Sequence, residues 1–218
     1  HLLIGTYIGI QMYDPATDNF TPLAKLEDTG ETLESNINSF IERKNGEIWV
    51  SGNVLCKLDI KDHLLTVRKV DIAVTSPGSL FEDKKQNVWM AKGEEGVYQL
   101  TPDNQLTLHL SKDNGYVKSI CEDQRGNIYV GSIRKGLFIY DKERKTFVPV
   151  DLKEKGELPV CFLYSGIPNE LYIGTDGKGV AIYNIRTHEI SEYKFDNNYF
   201  DSGNSKIHSI LKDNSGNL

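Results

Sequence analysis

Cysteine is scarce. The 218 residues hold three, Cys56, Cys121 and Cys161, an odd number with wide spacing, each inside an apolar segment. That pattern reads as small buried hydrophobes, and it excludes a disulfide framework and a zinc site from cysteine spacing. It leaves the redox compartment open. Long apolar runs are also lacking. None approaches the roughly 20 residues that a bilayer crossing needs, so no membrane segment is expected here. There is no basic excess either. Acidic residues outnumber basic ones by 31 to 25, giving a formal charge of −6 with neither sign gathered into a block. Nucleic acid is therefore disfavoured as a partner, because phosphate contacts need a basic face. Helical periodicity is nowhere sustained over ten or twelve residues. The start, His1-Leu2-Leu3-Ile4, shows no basic region followed by an apolar core, so any signal peptide is expected to be removed or to lie outside this stretch.

What is present is a repeat. The segment NIYVGS at Asn127 to Ser132 recurs as LLIGT at Leu2 to Thr6, EIWVSG at Glu47 to Gly52, NVWMAK at Asn87 to Lys92 and ELYIGT at Glu170 to Thr175. With Leu3, Trp49, Trp89, Tyr129 and Tyr172 as markers, the successive spacings are 46, 40, 40 and 43 residues, the period of a propeller blade. A second apolar segment follows each marker: GIQMYD at Gly9, NVLCKLD at Asn53, GVYQLTPD at Gly96, GLFIYD at Gly136 and GVAIYN at Gly179. A shorter strand comes next, at Phe20 to Leu23, Leu64 to Val67, Gln105 to Leu108, Thr146 to Val150 and Glu189 to Tyr193. Ahead of the markers lie INSFIERKNGE at Ile37, PGSLFEDKKQN at Pro77, VKSICEDQRGN at Val117 and IHSILKDNSGN at Ile207, while PVCFLYSGIPNE at Pro159 departs from the pattern.

Each repeat thus offers four runs of four to six residues, rich in β-branched and aromatic side chains and parted by Gly, Asn, Asp or Pro turns. The expected fold is all-β, a β-propeller of four-stranded antiparallel blades, about five here, spanning residues 1–218 as a single domain or propeller fragment. Residues 205–213 are expected to supply the first strand of the first blade. Either five blades close into a ring or the chain is part of a longer array, and Asn217-Leu218, which resembles the start of a further second strand, favours the latter. In Asp123-Gln-Arg-Gly126-Asn127 and Asp213-Asn-Ser-Gly216-Asn217 the aspartate bonds its own turn while glycine takes positive φ. No liganding glutamate follows as a helix-loop-helix calcium site requires. Trp49, Trp89, Tyr129 and Tyr172 recur at one register, which assigns them to packing between neighbouring blades rather than to sugar platforms.

The pattern of these residues, G-N-I/L-W/Y-I/V-G-T, then G-L/V-x-x-Y-D, then V-x-S-I-x-E-D, resembles the two-component regulator propeller repeats found in periplasmic sensor regions of hybrid two-component systems of polysaccharide-degrading gut bacteria. The likeness is best at Val117 to Phe147 and Leu171 to Leu218, and weakest at Ser51 to Val70 and Pro159 to Pro168. The resemblance implies a periplasmic sensor module whose parent, anchored in the inner membrane, continues through further propeller, a β-sandwich, a membrane helix, a histidine kinase and regulator domains. It implies an oligosaccharide ligand that biases signalling by favouring one arrangement of a homodimer. No cofactor is implied, and the chain itself is not expected to be an enzyme.

Residue patterns for catalysis are missing. His1, His63, His109, His188 and His208 show no metal-ligating spacing and no evident partner. Most acidic residues recur at turns, among them Asp14, Asp59, Asp141, Asp83, Asp123 and Asp213. A carboxylate pair serving a propeller-fold polysaccharide lyase or glycosidase is decided by separation in space, so that alternative stays open, as does a protein-binding scaffold. A ligand is expected at the end of the propeller formed by the loops between second and third strands and by the connections between repeats. The first set holds Tyr7, Lys92, Glu94, Glu95, Arg134, Lys135, Asp176 and Lys178; the second holds Asn36, Tyr116, Tyr199, Phe200 and Asn204. Six of these, Tyr7, Glu94, Tyr116, Arg134, Asp176 and Tyr199, are the candidate ligand residues. Arg134 and Asp176 break the repeat with charge, and the rings stand in polar loops where they suit a sugar face. The competing reading makes them solvated loop residues or contacts to a neighbouring domain.

Overall fold

The computed structural model describes residues 2–110, 115–152, 158–193, 206–213, 215 and 217. Among them there is no helix, and most strands fall on the apolar runs of the repeat. The chain divides into two compact units, His1–Glu82 and Asp83–Leu218.

In the first unit, β1 (Leu2–Thr6), β2 (Gly9–Asp14) and β3 (Asn19–Phe20) form an antiparallel meander. A five-stranded sheet follows from β4 (Lys25–Leu26), β5 (Ser39–Glu42), β6 (Ile48–Ser51), β7 (Leu55–Lys61) and β8 (Leu64–Lys69), in the order β4-β8-β7-β6-β5. The short β4 was not anticipated from the repeat. It pairs parallel to β8, Lys25 opposite Thr66 and Leu26 opposite Val67. The repeat with the longest spacing supplies it. Its surplus residues carry Ala24 and Leu33 into the core beside Ile10, Met12, Val50 and Leu65, and they cover what would otherwise be an exposed strand edge. β9 (Leu80–Glu82) closes this unit in sequence.

The second unit contains β10 (Val88–Lys92), β11 (Gly96–Leu100) and β12 (Leu106–Leu110) as antiparallel neighbours. Two complete four-stranded antiparallel sheets follow. One is β13 (Val117–Glu122), β14 (Ile128–Ser132), β15 (Gly136–Asp141) and β16 (Thr146–Pro149). The other is β17 (Val160–Ile167), β18 (Glu170–Thr175), β19 (Val180–Asn184) and β20 (Ile190–Glu192). Their facing sides share a core that includes Cys121, Tyr129, Leu137, Val160, Leu163, Ile173 and Tyr183. The segment 207–213, expected to contain a strand at Ile207 to Leu211, forms none among the described residues. It is held by one bridge, Lys206 to Asp176, and by the Ile207 amide donating to the Thr175 carbonyl, because no strand pairs with its remaining backbone groups.

Three sequence features of the repeat acquire a physical reason. The glycine two after three of the markers makes room for the segment that leads into or opens the next repeat. A Cβ placed on Gly5 would lie 2.6 Å from Ile37 Cγ2, one on Gly174 would lie 2.7 Å from Ile207 Cγ2, and one on Gly131 would collide with Val160 Cγ1. The hydroxyl that follows pins the turn after the second strand: Thr6 Oγ1 and Thr175 Oγ1 donate to the carbonyls of Gly9 and Gly179, at 3.0 and 2.7 Å.

The turn aspartate, third, is a cage. Asp83 Oδ1 accepts from the amides of Lys85 and Asn87, and Oδ2 accepts from Asn87 Nδ2 and Trp89 Nε1, all within 2.8–2.9 Å. Asp123 repeats this with Arg125, Asn127 and the Tyr129 hydroxyl. Where Arg43 stands in place of the aspartate, the acid has moved to Glu47, which takes the Trp49 Nε1 donor at 3.0 Å; Glu170 takes the Tyr172 hydroxyl at 2.9 Å. The marker rings are buried, as expected of core, and each keeps a partner for its polar tip.

Candidate functional site

At the end of the second unit that carries the turns after second strands, three expected residues meet. Glu94, in the turn after β10, pairs with Arg134, in the turn after β14, at 3.0 Å with both side chains mostly exposed. Tyr116, in the connection to β13, lies against Gly93: a Cβ there would be 3.0 Å from its ring. Gly93 has φ of +45°, so glycine allows both the turn and the close approach of the ring. The Tyr116 carbonyl accepts the Ile133 amide at 2.9 Å, and the Gly93 carbonyl accepts the Val117 amide at 2.9 Å, so ring and ion pair are held by backbone on both sides. Beside them Lys92 pairs with Glu95 at 2.7 Å, and that ammonium holds the Glu95 carboxyl below its usual range.

Asp176 is engaged elsewhere in the same unit. It pairs with Lys206 at 2.9 Å, and its carboxylate holds the exposed Lys206 ammonium above its usual range. Tyr7, 86% exposed, belongs to the first unit. Tyr199, with Phe200 and Asn204, lies outside the described residues. Among the described residues no three His, Cys, Asp or Glu side chains cluster so as to hold a metal ion. The thiols are buried and their pKa values raised, Cys56 to about 11. They are poor nucleophiles.

The opposite end of the same sheets carries a cleft of about 820 Å³ that the sequence reading did not single out. Its walls come from the Asp83 and Asp123 cages, from β12 and from the β15–β16 turn. His109 organises it. Its Nε2 is 2.8 Å from Gln99 Oε1 and its Nδ1 is 3.1 Å from the Lys145 carbonyl, which ties the β15–β16 turn to the outer strand of the preceding repeat. Neither partner of His109 is legible in the sequence, because Gln99 stands ten residues away and the Lys145 acceptor is main-chain. The His109 ring packs 5.2 Å from both Trp89 and Tyr140, and burial lowers its pKa below the ordinary value.

Comparison with known proteins gives a direct match within this region. Residues 111–134 match the family model of the two component regulator propeller. The stretch is similar to one regulator-propeller repeat. That repeat holds Tyr116, β13, the Asp123 cage, β14 and Arg134, so two of the six candidate residues lie inside it. No curated protein matches the sequence. Among solved structures, the extracellular domain of hybrid two component system BT3049 from B. thetaiotaomicron matches with a TM-score of 0.74 at 18% identity, over 97% of this chain and 29% of that one. The extracellular domain of BT4673 from the same organism matches with 0.65 at 21%, over 83% and 25%. Virginiamycin B lyase from Staphylococcus aureus shares the fold with 0.66 at 12%, over 88% and 64%. The chain spans under a third of the two extracellular domains. At these identities the likeness is one of fold, an all-β, propeller-blade architecture.

Proposed function

We propose that this chain is an extracytoplasmic sensor module of a hybrid two-component signalling protein, in the periplasm, which recognises a carbohydrate and passes the signal to a downstream histidine kinase. The observation that carries the reading is the regulator-propeller match at residues 111–134, on a fold shared with the extracellular domains of two such systems. The Glu94–Arg134 pair beside the Tyr116 ring supports it, since a partly exposed ring next to opposite charges suits a sugar's apolar face and hydroxyls. In the parent, ligand binding stabilises one arrangement of a dimer, and the kinase responds to that shift in population. Residues 1–218 act as one propeller or part of one.

A glycan panel tested by calorimetry decides the matter. A saccharide that binds the wild-type chain, and binds Tyr116→Ala or Arg134→Ala at least tenfold more weakly, supports recognition at this end. Absence of binding by any glycan, to this chain and to the full extracellular region of its parent, overturns the carbohydrate reading. The lyase fold match supports a second reading, a propeller enzyme, whose signature is turnover of a saccharide by the purified chain.

A further inference from the structure

We propose that the cleft formed by the Asp83 cage, β12, the Asp123 cage and the β15–β16 turn is a second binding site, which takes a saccharide bearing carboxylate or sulfate groups. The proposal rests on the sensing reading for the word saccharide, and on the cleft alone for its location and charge.

Three observations carry it. The first is charge. In a chain of formal charge −6, the cleft gathers Lys84, Lys85, Arg125, Lys142 and Lys145 against two carboxylates, Asp83 and Glu122. Both carboxylates are engaged by the protein: Asp83 by its cage, Glu122 by the Lys84 amide at 3.4 Å. Lys84 and Arg125 are also committed, to the Gln124 carbonyl at 2.7 Å and to Asn169 Oδ1 at 2.8 Å. Among the described residues, the ammonium groups of Lys85, Lys142 and Lys145 have no hydrogen-bond or ion-pair partner. Like charges gathered at one cleft repel each other, and an anion relieves that repulsion.

The second is preorganisation. Lys85 stands on the turn caged by Asp83, and Lys142 and Lys145 on a turn whose amides at Glu143 and Arg144 donate to Asp141 Oδ1. The Lys145 backbone, at φ of +52°, is fixed further by His109. Cations on turns already fixed lose little backbone freedom on binding. The third is size and lining. About 820 Å³ lies within the range of small-molecule sites, and Gln99, Thr107, His109 and Tyr140 supply hydrogen-bonding groups and an aromatic wall of the kind that orients a sugar.

The test is calorimetry of the 218-residue chain with oligogalacturonate and with a sulfated disaccharide, beside a neutral trisaccharide, at about 50 and 200 mM salt. The expected result is binding of a charged saccharide that weakens at least threefold at the higher salt and at least tenfold in Lys142→Ala/Lys145→Ala, two exposed turn positions whose loss leaves the fold intact by circular dichroism. Equal binding by wild type and the double variant overturns the cleft, as does failure of both charged saccharides to bind. If a neutral glycan binds with sensitivity to Tyr116→Ala only, the cleft proposal falls and the sensing reading stands. A short single-stranded oligonucleotide that binds as well as the saccharides overturns the saccharide assignment.

Discussion

Replacing Asp83 by alanine removes one carboxylate that satisfies four donors: the amides of Lys85 and Asn87, Asn87 Nδ2 and Trp89 Nε1. The turn amide of Lys85 is near solvent, and water replaces that bond at little cost. Asn87 and Trp89 are buried, Trp89 to 1% exposure, so their donors stay unsatisfied at about 1–3 kcal/mol each. The expected destabilisation is about 3–5 kcal/mol, which for a chain of this length lowers Tm by roughly 2–4 °C per kcal/mol. Urea unfolding with hydrogen exchange resolved to β10–β12 measures it, because a repeat array need not unfold as one. A double-mutant cycle sharpens the test. Trp89→Phe keeps a ring but removes the Nε1 donor, so Asp83→Ala should cost about 1–2 kcal/mol less in that background. A cost below about 1 kcal/mol for Asp83→Ala, or one unchanged by Trp89→Phe, would refute the cage as the reason for the recurrent aspartate.

Gly131→Ala pushes a methyl into Val160, which is fully buried on β17, and should cost roughly 2–3 kcal/mol by chemical denaturation, whereas Gly46→Ala, with open space around it, costs only the strain of its φ of +83°. Glu47 is held at about 2, first by the Lys57 ammonium at 2.5 Å, from an ordinary value near 4.5. Its contribution to stability is therefore complete above about pH 4.5 and lost as the pH falls towards 2, and Glu47→Gln should flatten an acid unfolding curve in that window. His109 is lowered, by burial first, so the folded state favours the neutral ring. Stability should fall as the pH drops below about 6.5, and the His109 ring protons should titrate below that value by NMR.

The repeat made the fold legible. A marker recurring every 40 to 46 residues, with three β-like runs between copies, leaves few architectures other than propeller blades, because each sheet buries its face only against the next. The marker rings, read as core from their common register, are core. The hydrogen bonds that satisfy them were half visible: Asp at one position and Asn four later recur at Asp83, Asp123 and Asp213, but the exchange to Arg43 with Glu47 becomes sensible only once Trp49 Nε1 is seen to need an acceptor. The parallel β4 was hidden, since two residues carry no periodicity and their placement depends on an open edge at β8.

The candidate site divides in the same way. Sequence position assigned Glu94, Tyr116 and Arg134 to one end of a blade, because loops between alternate strands share an end in any meander. That Glu94 pairs with Arg134, while Asp176 turns to Lys206, was settled by which turns lie side by side. The cleft was invisible to the sequence because its residues belong to turns that each have a local structural role. Lys85, His109 and the Lys142–Lys145 turn come from three separate places along the chain, and only the stacking of one sheet on the next assembles them around one volume. Periodicity fixes which strands form and which way side chains alternate, since both are local. Which loops become neighbours is a property of sheet packing, and packing is decided by tertiary structure.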